Sequence, residues 1–215
     1  RLAGHEAALQ ALRQFSGRTR SGFLLFGDGL LTGYTDVIHG VQEVLGTKSL
    51  VVGGLMADDL RFTQTYQYAD DQALSGSVVG LLLGGSCTIG VGLEHGFVPI
   101  SRPLHVTRAH ANTLQELDGH PASEVYEEYF GPELMDAVRR DGLTRQLIAY
   151  PLGVQLKSSD EFLLRNVRGF EADGSLMCTG EVPRNSTVRL MIGSKELALE
   201  AASRAAQKAL QPLSS

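Results

Sequence analysis

Apolar residues recur along this chain with two periods, and the switches between them mark its organisation. Over residues 2–15, Leu9, Leu12 and Phe15 fall at helical spacing and Gly17 stops the run, which predicts an opening helix. Residues 22–26 are almost continuously apolar and predict a short strand. A second helix is predicted over 36–45, with Thr35 as its cap, Val37, Val41 and Val44 as its apolar stripe and Gly46 at its end. A strand over 50–52 follows, so this part reads as a β-α-β unit with two parallel strands.

From residue 62 the period shortens to two. Strands are predicted over 62–68, 77–83 and 88–93, with turns at Asp70-Asp71 and Gly84-Gly85-Ser86, forming an antiparallel meander. The unbroken apolarity of 78–83 predicts a strand covered on both faces. Strands over 106–109 and 114–117 make a hairpin whose second arm stops on Asp118-Gly119, a pair that tolerates left-handed backbone. Pro121 then fits the first turn of a helix carrying Ala122, Val125, Tyr126, Tyr129 and Phe130 up to Gly131. A short helix and connector over 132–146, strands near 162–167, 175–178 and 187–192, and an Ala-rich helix capped by Ser194 and running to 210 complete the prediction. The fold class is α+β: largely antiparallel or mixed sheets flanked by helices, in two layered subdomains over residues 1–146 and 147–215.

Composition changes this picture little. The 215 residues are 43% hydrophobic, enough for a substantial core. Net charge is −5, and Lys and Arg are scattered in ones and twos, so no basic stripe marks a nucleic-acid partner. The longest apolar runs are interrupted by Gly and fall far short of the roughly 20 residues of a membrane helix. Cys87 and Cys178 follow neither metal-ligand nor disulfide-framework spacing and read as two reduced thiols, which points to a cytoplasmic location. The chain opens on Arg1 with no initiator Met or signal-peptide pattern and reads as an excised piece of a longer one.

Candidate chemistry concentrates at strand ends. Gly27-Asp28-Gly29-Leu30-Leu31-Thr32-Gly33 sits between a strand and a helix, as a dinucleotide loop does, but its third glycine is one place late and Gly53-Gly54 replaces the acidic residue expected to follow the second strand. Asp28 and Gly29 instead read as ligand-contacting positions at the carboxyl end of a buried strand. Gly53 and Gly54 have the same placement in the next strand and allow close backbone approach. Asp58 and Asp59 follow as acceptors for a cationic group. Arg165 alternates with Leu163 and Val167 and so shares their face, where it needs a partner: a ligand carboxylate, or an internal Asp or Glu. His105 and His110 have no metal-site context, and Gly84-Gly85-Ser86-Cys87-Thr88 lacks the last glycine of a nucleophile elbow. No cofactor, metal or catalytic residue is expected, and binding is favoured over turnover.

The runs Phe23-Leu24-Leu25-Phe26-Gly27-Asp28-Gly29-Leu30, Val51-Val52-Gly53-Gly54 and Leu117-Asp118-Gly119-His120-Pro121-Ala122 resemble the N-terminal region of the FIST family. Phe162-Leu163-Leu164-Arg165-Asn166-Val167-Arg168-Gly169, Asp173-Gly174-Ser175-Leu176 and the stretch from Val182-Pro183 to Leu190 resemble the opening strands of its C-terminal region. The resemblance implies that residues 1–146 are a FIST N-terminal-like region and 147–215 the beginning of a C-terminal one, with further family segments at both ends. It also implies an intracellular sensory module that binds a small ligand, such as an amino acid or related carboxylate, and works with a signalling output domain or partner protein. The alternatives are an enzyme with its active site between the two regions, and an adaptor of the F-box-associated type whose role is protein recognition.

Overall fold

A computed structural model describes all residues except 18, 32, 60, 62, 142–144, 157–160 and 214–215. The chain forms two compact units, residues 1–91 with 208–215, and residues 92–207. The boundary expected at 146/147 lies within the second of these. Among the described residues, no helix is long and apolar enough to cross a membrane.

The first unit opens with α1 (Leu2–Gln14), β1 (Arg20–Asp28), α2 (Tyr34–Leu45) and β2 (Val51–Met56). β1 and β2 are parallel, with Phe23 opposite Val51 and Asp28 opposite Met56, as the β-α-β reading expects. The helices pack on the face of β1 that carries Phe23 and Leu25, closing a core with Ala8, Val41 and Leu45. The buried face of α1 is Gly4 and Ala8, not the predicted Leu9, Leu12 and Phe15. The reason is steric: α1 and α2 run so close that a Cβ on Gly4 would lie 1.9 Å from the Val37 carbonyl oxygen, and one on Gly40 would lie 2.1 Å from that of Arg1. Close approach selects small residues for the seam, and the leucines are displaced to its flank.

The expected meander is replaced by a different pairing. β3 (Gln67–Ala69) and β4 (Gln72–Leu74) form a separate hairpin, turned by Asp70 at φ 53°. β5 (Val78–Gly84) returns to pair antiparallel with β1, giving the order β2-β1-β5. β5 is not covered on both faces, since Leu81 is 55% exposed. Residues 88–93 form no strand, and the start of the predicted strand at Phe62 lies outside the described residues.

In the second unit, β6 (Phe97–Pro99), β7 (Leu104–His110), β8 (Thr113–Leu117) and β9 (His120–Pro121) precede α3 (Ser123–Asp141) and α4 (Arg145–Ile148). The β7–β8 hairpin forms as predicted, and Asp118 and Gly119 take positive φ values of 52° and 85°. Pro121 does not open the helix. It lies in β9, paired with Glu116, and the helix starts two residues later at Ser123. Gly131, at φ 76°, interrupts α3 where the first helix was expected to end, and Pro132 restarts it.

Then come β10 (Leu152–Gln155), β11 (Phe162–Arg165), β12 (Val167–Phe170), β13 (Leu176–Cys178), β14 (Thr187–Gly193) and α5 (Lys195–Leu210). The Ser194 hydroxyl accepts the Leu197 N–H, the predicted cap. These strands join the earlier ones in one sheet of order β11-β10-β14-β7-β8-β13-β12, with β6 on β14 and β9 on β8. On its core face, Val106, Leu114, Leu152, Val188 and Leu190 pack against Val125, Tyr126, Met135 and Val138 of α3. The fully buried Tyr126 ring meets Phe170 edge-on at 5.6 Å, and its hydroxyl donates to the Tyr150 carbonyl at 3.0 Å. The α+β class with antiparallel and mixed sheets is what the sequence predicts.

The α1–α2 seam yields a test with a definite sign. In an isolated helix, Gly40→Ala stabilises by about 1 kcal/mol through propensity. Here the added methyl overlaps backbone, so the variant is expected to lose about 1–3 kcal/mol in equilibrium denaturation. A stability gain would show that the helices separate at no cost.

Candidate functional site

The strand-end residues of the first unit are brought together by the parallel register of β1 and β2. Asp28 ends β1 opposite Met56, and the Gly29 N–H donates to the Met56 carbonyl at 3.1 Å, so the two loops leave the sheet side by side. Gly53 and Gly54 lie inside β2, opposite Leu25 and Phe26, because β2 runs four residues beyond its predicted end at 52. They border a shallow recess of about 240 Å³ walled by Leu25, Tyr34, Ile38 and Leu55.

Asp28 is only 4% exposed. Its carboxylate accepts the N–H groups of Leu30 at 2.8 Å and Gly76 at 2.9 Å, and a hydrogen bond from the Thr65 side chain. Burial pushes its carboxyl up, but these donors outweigh burial and hold it below the ordinary range. Asp28 therefore ties the turn before β5 to the loop before α2. Its own carbonyl accepts the Tyr34 hydroxyl, whose pKa is pushed up to about 12 by burial and by the Asp28 charge. Asp58 has a comparable role: its Oδ2 accepts the N–H groups of Thr63 at 2.7 Å and Gln64 at 3.1 Å. Asp59 takes a left-handed conformation in the same turn, with φ 57°.

Arg165 belongs to the second unit, at the last position of β11 opposite the buried Leu152. Val167 falls in the next strand, β12, so the predicted alternation stops at Arg165. Within the chain its partners are backbone carbonyls, not the internal Asp or Glu that was one of the two expectations. Nε donates to the Glu181 carbonyl at 2.7 Å and Nη1 to the Leu164 carbonyl at 3.0 Å, and among the described residues no carboxylate forms an ion pair with it. The guanidinium lies against Gly180, where a Cβ would stand 3.1 Å from Nε. Burial pulls the Arg165 pKa down, opposed in part by the nearby Glu181 charge. The buried Cys178 thiol is itself pushed up to about 12 by desolvation and stays protonated.

Arg165 lines a cleft of about 590 Å³ together with Arg184, Asn185, Ser186, Thr187, Val154 and Leu163. Sequence reading missed Arg184, which sits on an exposed turn closed by the Ser186 hydroxyl donating to the Pro183 carbonyl. It also missed Arg189, which shares a face of β14 with Thr187 and carries a buried Nε without a hydrogen-bond partner among the described residues. The Thr187-x-Arg189-x-Met191 alternation was the available signal. Arg184 had none.

For Asp28, the folded carboxyl titrates below its ordinary value near 3.8. The stability it contributes is complete above that value and is lost as pH falls through the lowered one. Asp28→Asn places an amide donor against backbone donors and is expected to cost about 1–3 kcal/mol at pH 7, with a shallower dependence on pH below 4. Denaturation at several acidic pH values checks both parts, and an unchanged acid slope would remove Asp28 from the network.

Two family models match the chain, the FIST N domain over residues 1–120 and the FIST C domain over residues 122–214. The Uncharacterized protein MJ1623 of Methanocaldococcus jannaschii is 30% identical over 90 residues, 41% of this chain. The matched stretch spans 18% of that protein's length. No solved structure gives a significant match. Together the two models account for nearly every residue, strand-end glycines and arginine cleft included, and the chain belongs to the FIST family of signal-transduction sensory domains.

Proposed function

We propose that the chain is the ligand-binding part of a sensory protein, that its ligand is a small carboxylate, and that Arg165 receives it. One observation carries the reading: a half-buried guanidinium opens on a cleft of about 590 Å³ beside a second arginine, with its own hydrogen bonds spent on neutral carbonyls. Arginine cannot shed its proton, so a desolvated guanidinium without an anion favours binding one. Asn185, Ser186, Thr187 and Gln155 supply neutral hydrogen-bonding groups around the same space.

In this reading Asp28 and Asp58 are framework, holding the loops that carry Gly29 and Asp59. Gly53 and Gly54 border a shallower recess that serves as a secondary contact area of the first unit. Signal output belongs to another domain or a partner protein, and the role is binding without turnover. A cytoplasmic setting is proposed on the unpaired Cys87 and Cys178.

Titration calorimetry with short monocarboxylates, dicarboxylates and amino acids tests this. At least one carboxylate is expected to bind, and Arg184→Gln to weaken it by about 1.5–3 kcal/mol without affecting stability, because Arg184 is exposed. Arg165→Met is expected to weaken binding by about 2–4 kcal/mol. Affinity unchanged in both variants would place the ligand elsewhere.

A further inference from the structure

Two clefts of the second unit share a wall. Leu156 and Leu163 line both the arginine cleft and a second one of about 450 Å³, whose other apolar walls are Leu93, Phe162 and Leu164. Leu93, Leu156 and Leu163 are 84%, 40% and 43% exposed. Single exposed leucines are ordinary, but three around one recess make a contiguous apolar surface of the kind that marks binding.

The nearby polar groups have structural partners. Glu94 accepts from Arg204 Nε at 3.2 Å, and His95 Nε2 meets the Phe162 carbonyl at 3.1 Å. What the second cleft offers a ligand is hydrocarbon. The charges on the two clefts are opposite, with Arg165 and Arg184 on one and Glu94 and Glu161 bordering the other.

We propose that the two clefts form one elongated site for a monocarboxylic acid with an aliphatic chain. The carboxylate lies at Arg165 and Arg184, and the chain crosses Leu163 and Leu156 into the recess walled by Leu93, Phe162 and Leu164. This rests on the small-carboxylate reading above and narrows it to amphipathic acids. A second carboxylate at the far end of the chain would lie among apolar walls bordered by Glu161 and the Arg204-paired Glu94, so dicarboxylates of the same length are disfavoured.

The test is calorimetric titration with butyrate, hexanoate, octanoate and decanoate, kept below their aggregation limits, beside dicarboxylates and ω-amino acids of matching length. Affinity is expected to rise about fourfold per methylene, the increment for burying one such group. The matching dicarboxylate is expected to bind about tenfold more weakly. Leu163→Ser, at an exposed position, flattens the dependence on chain length, whereas Arg184→Gln weakens every acid by the same factor, about 10- to 150-fold. Equal affinity for butyrate and octanoate overturns this inference and leaves the small-carboxylate reading standing. A dicarboxylate that binds as tightly as the simple acid of the same length, or more tightly than the matching ω-amino acid, also overturns it, and absence of binding by any acid removes both.

Discussion

The pairing of β14 with three different strands is the constraint on which the second unit depends. Thr187 and Val188 pair with β7, Val188 to Leu190 with β10, and Met191 to Gly193 with β6. Val188, Leu190 and Met191 are fully buried, so their backbone groups have no access to water and must be satisfied inside the protein. Ser101 completes the set: its hydroxyl accepts the Leu190 N–H, while the Ile100 N–H donates to the Leu190 carbonyl. With β14 held on both edges, the loop that leads into it is held too. The Asn185 N–H bonds to the Val106 carbonyl, and the Val106 N–H bonds to that of Ser186. The cleft rim carrying Arg184 is thus tied to the central sheet, and β10, held by the same strand, sets the position of β11 and Arg165.

The two charges singled out by the sequence, Asp28 buried and Arg165 half-buried, are handled in opposite ways. Asp28 is surrounded by donors, two of them backbone N–H groups, and its ionised form is stabilised within the protein. Arg165 has carbonyl acceptors that orient its guanidinium but carry no net charge. Desolvation dominates its surroundings and opposes its charge. An electrostatically completed group is a framework element, and an oriented but uncompensated one is suited to recognition. Gly180 matters because it lets the guanidinium lie flat against the chain, so that orientation does not depend on a flexible side-chain partner.

Sheet edges and faces explain why so little of this was visible along the chain. The apolar run 78–83 gave a strand but not its partner: β5 crosses back to β1 and skips the hairpin between them. Its length and apolarity matched a doubly covered strand, yet Leu81 faces outward. In α1 the leucines drew attention by size, whereas the close approach of α2 favoured Gly4 and Ala8. Arg184 was silent in sequence because an exposed turn arginine is ordinary. It becomes a site candidate only when the fold sets it in the same cleft as Arg165.

What the sequence determined by itself is what a few neighbouring residues encode. The helix stops at Gly46 and Gly131, the left-handed turn at Asp118-Gly119, the cap at Ser194 and the β7–β8 hairpin all depend on local backbone sterics and hydrogen bonding, and all are present. The parallel β1–β2 pair was legible too, because one helix joins two adjacent strands. Strand order across the large sheet, the coverage of each face and the partners of each buried charge were decided only by tertiary structure. Those outcomes depend on residues outside the local window competing for the same backbone edges and the same dry space, as Leu104 and Val188 do, and no local pattern records who wins.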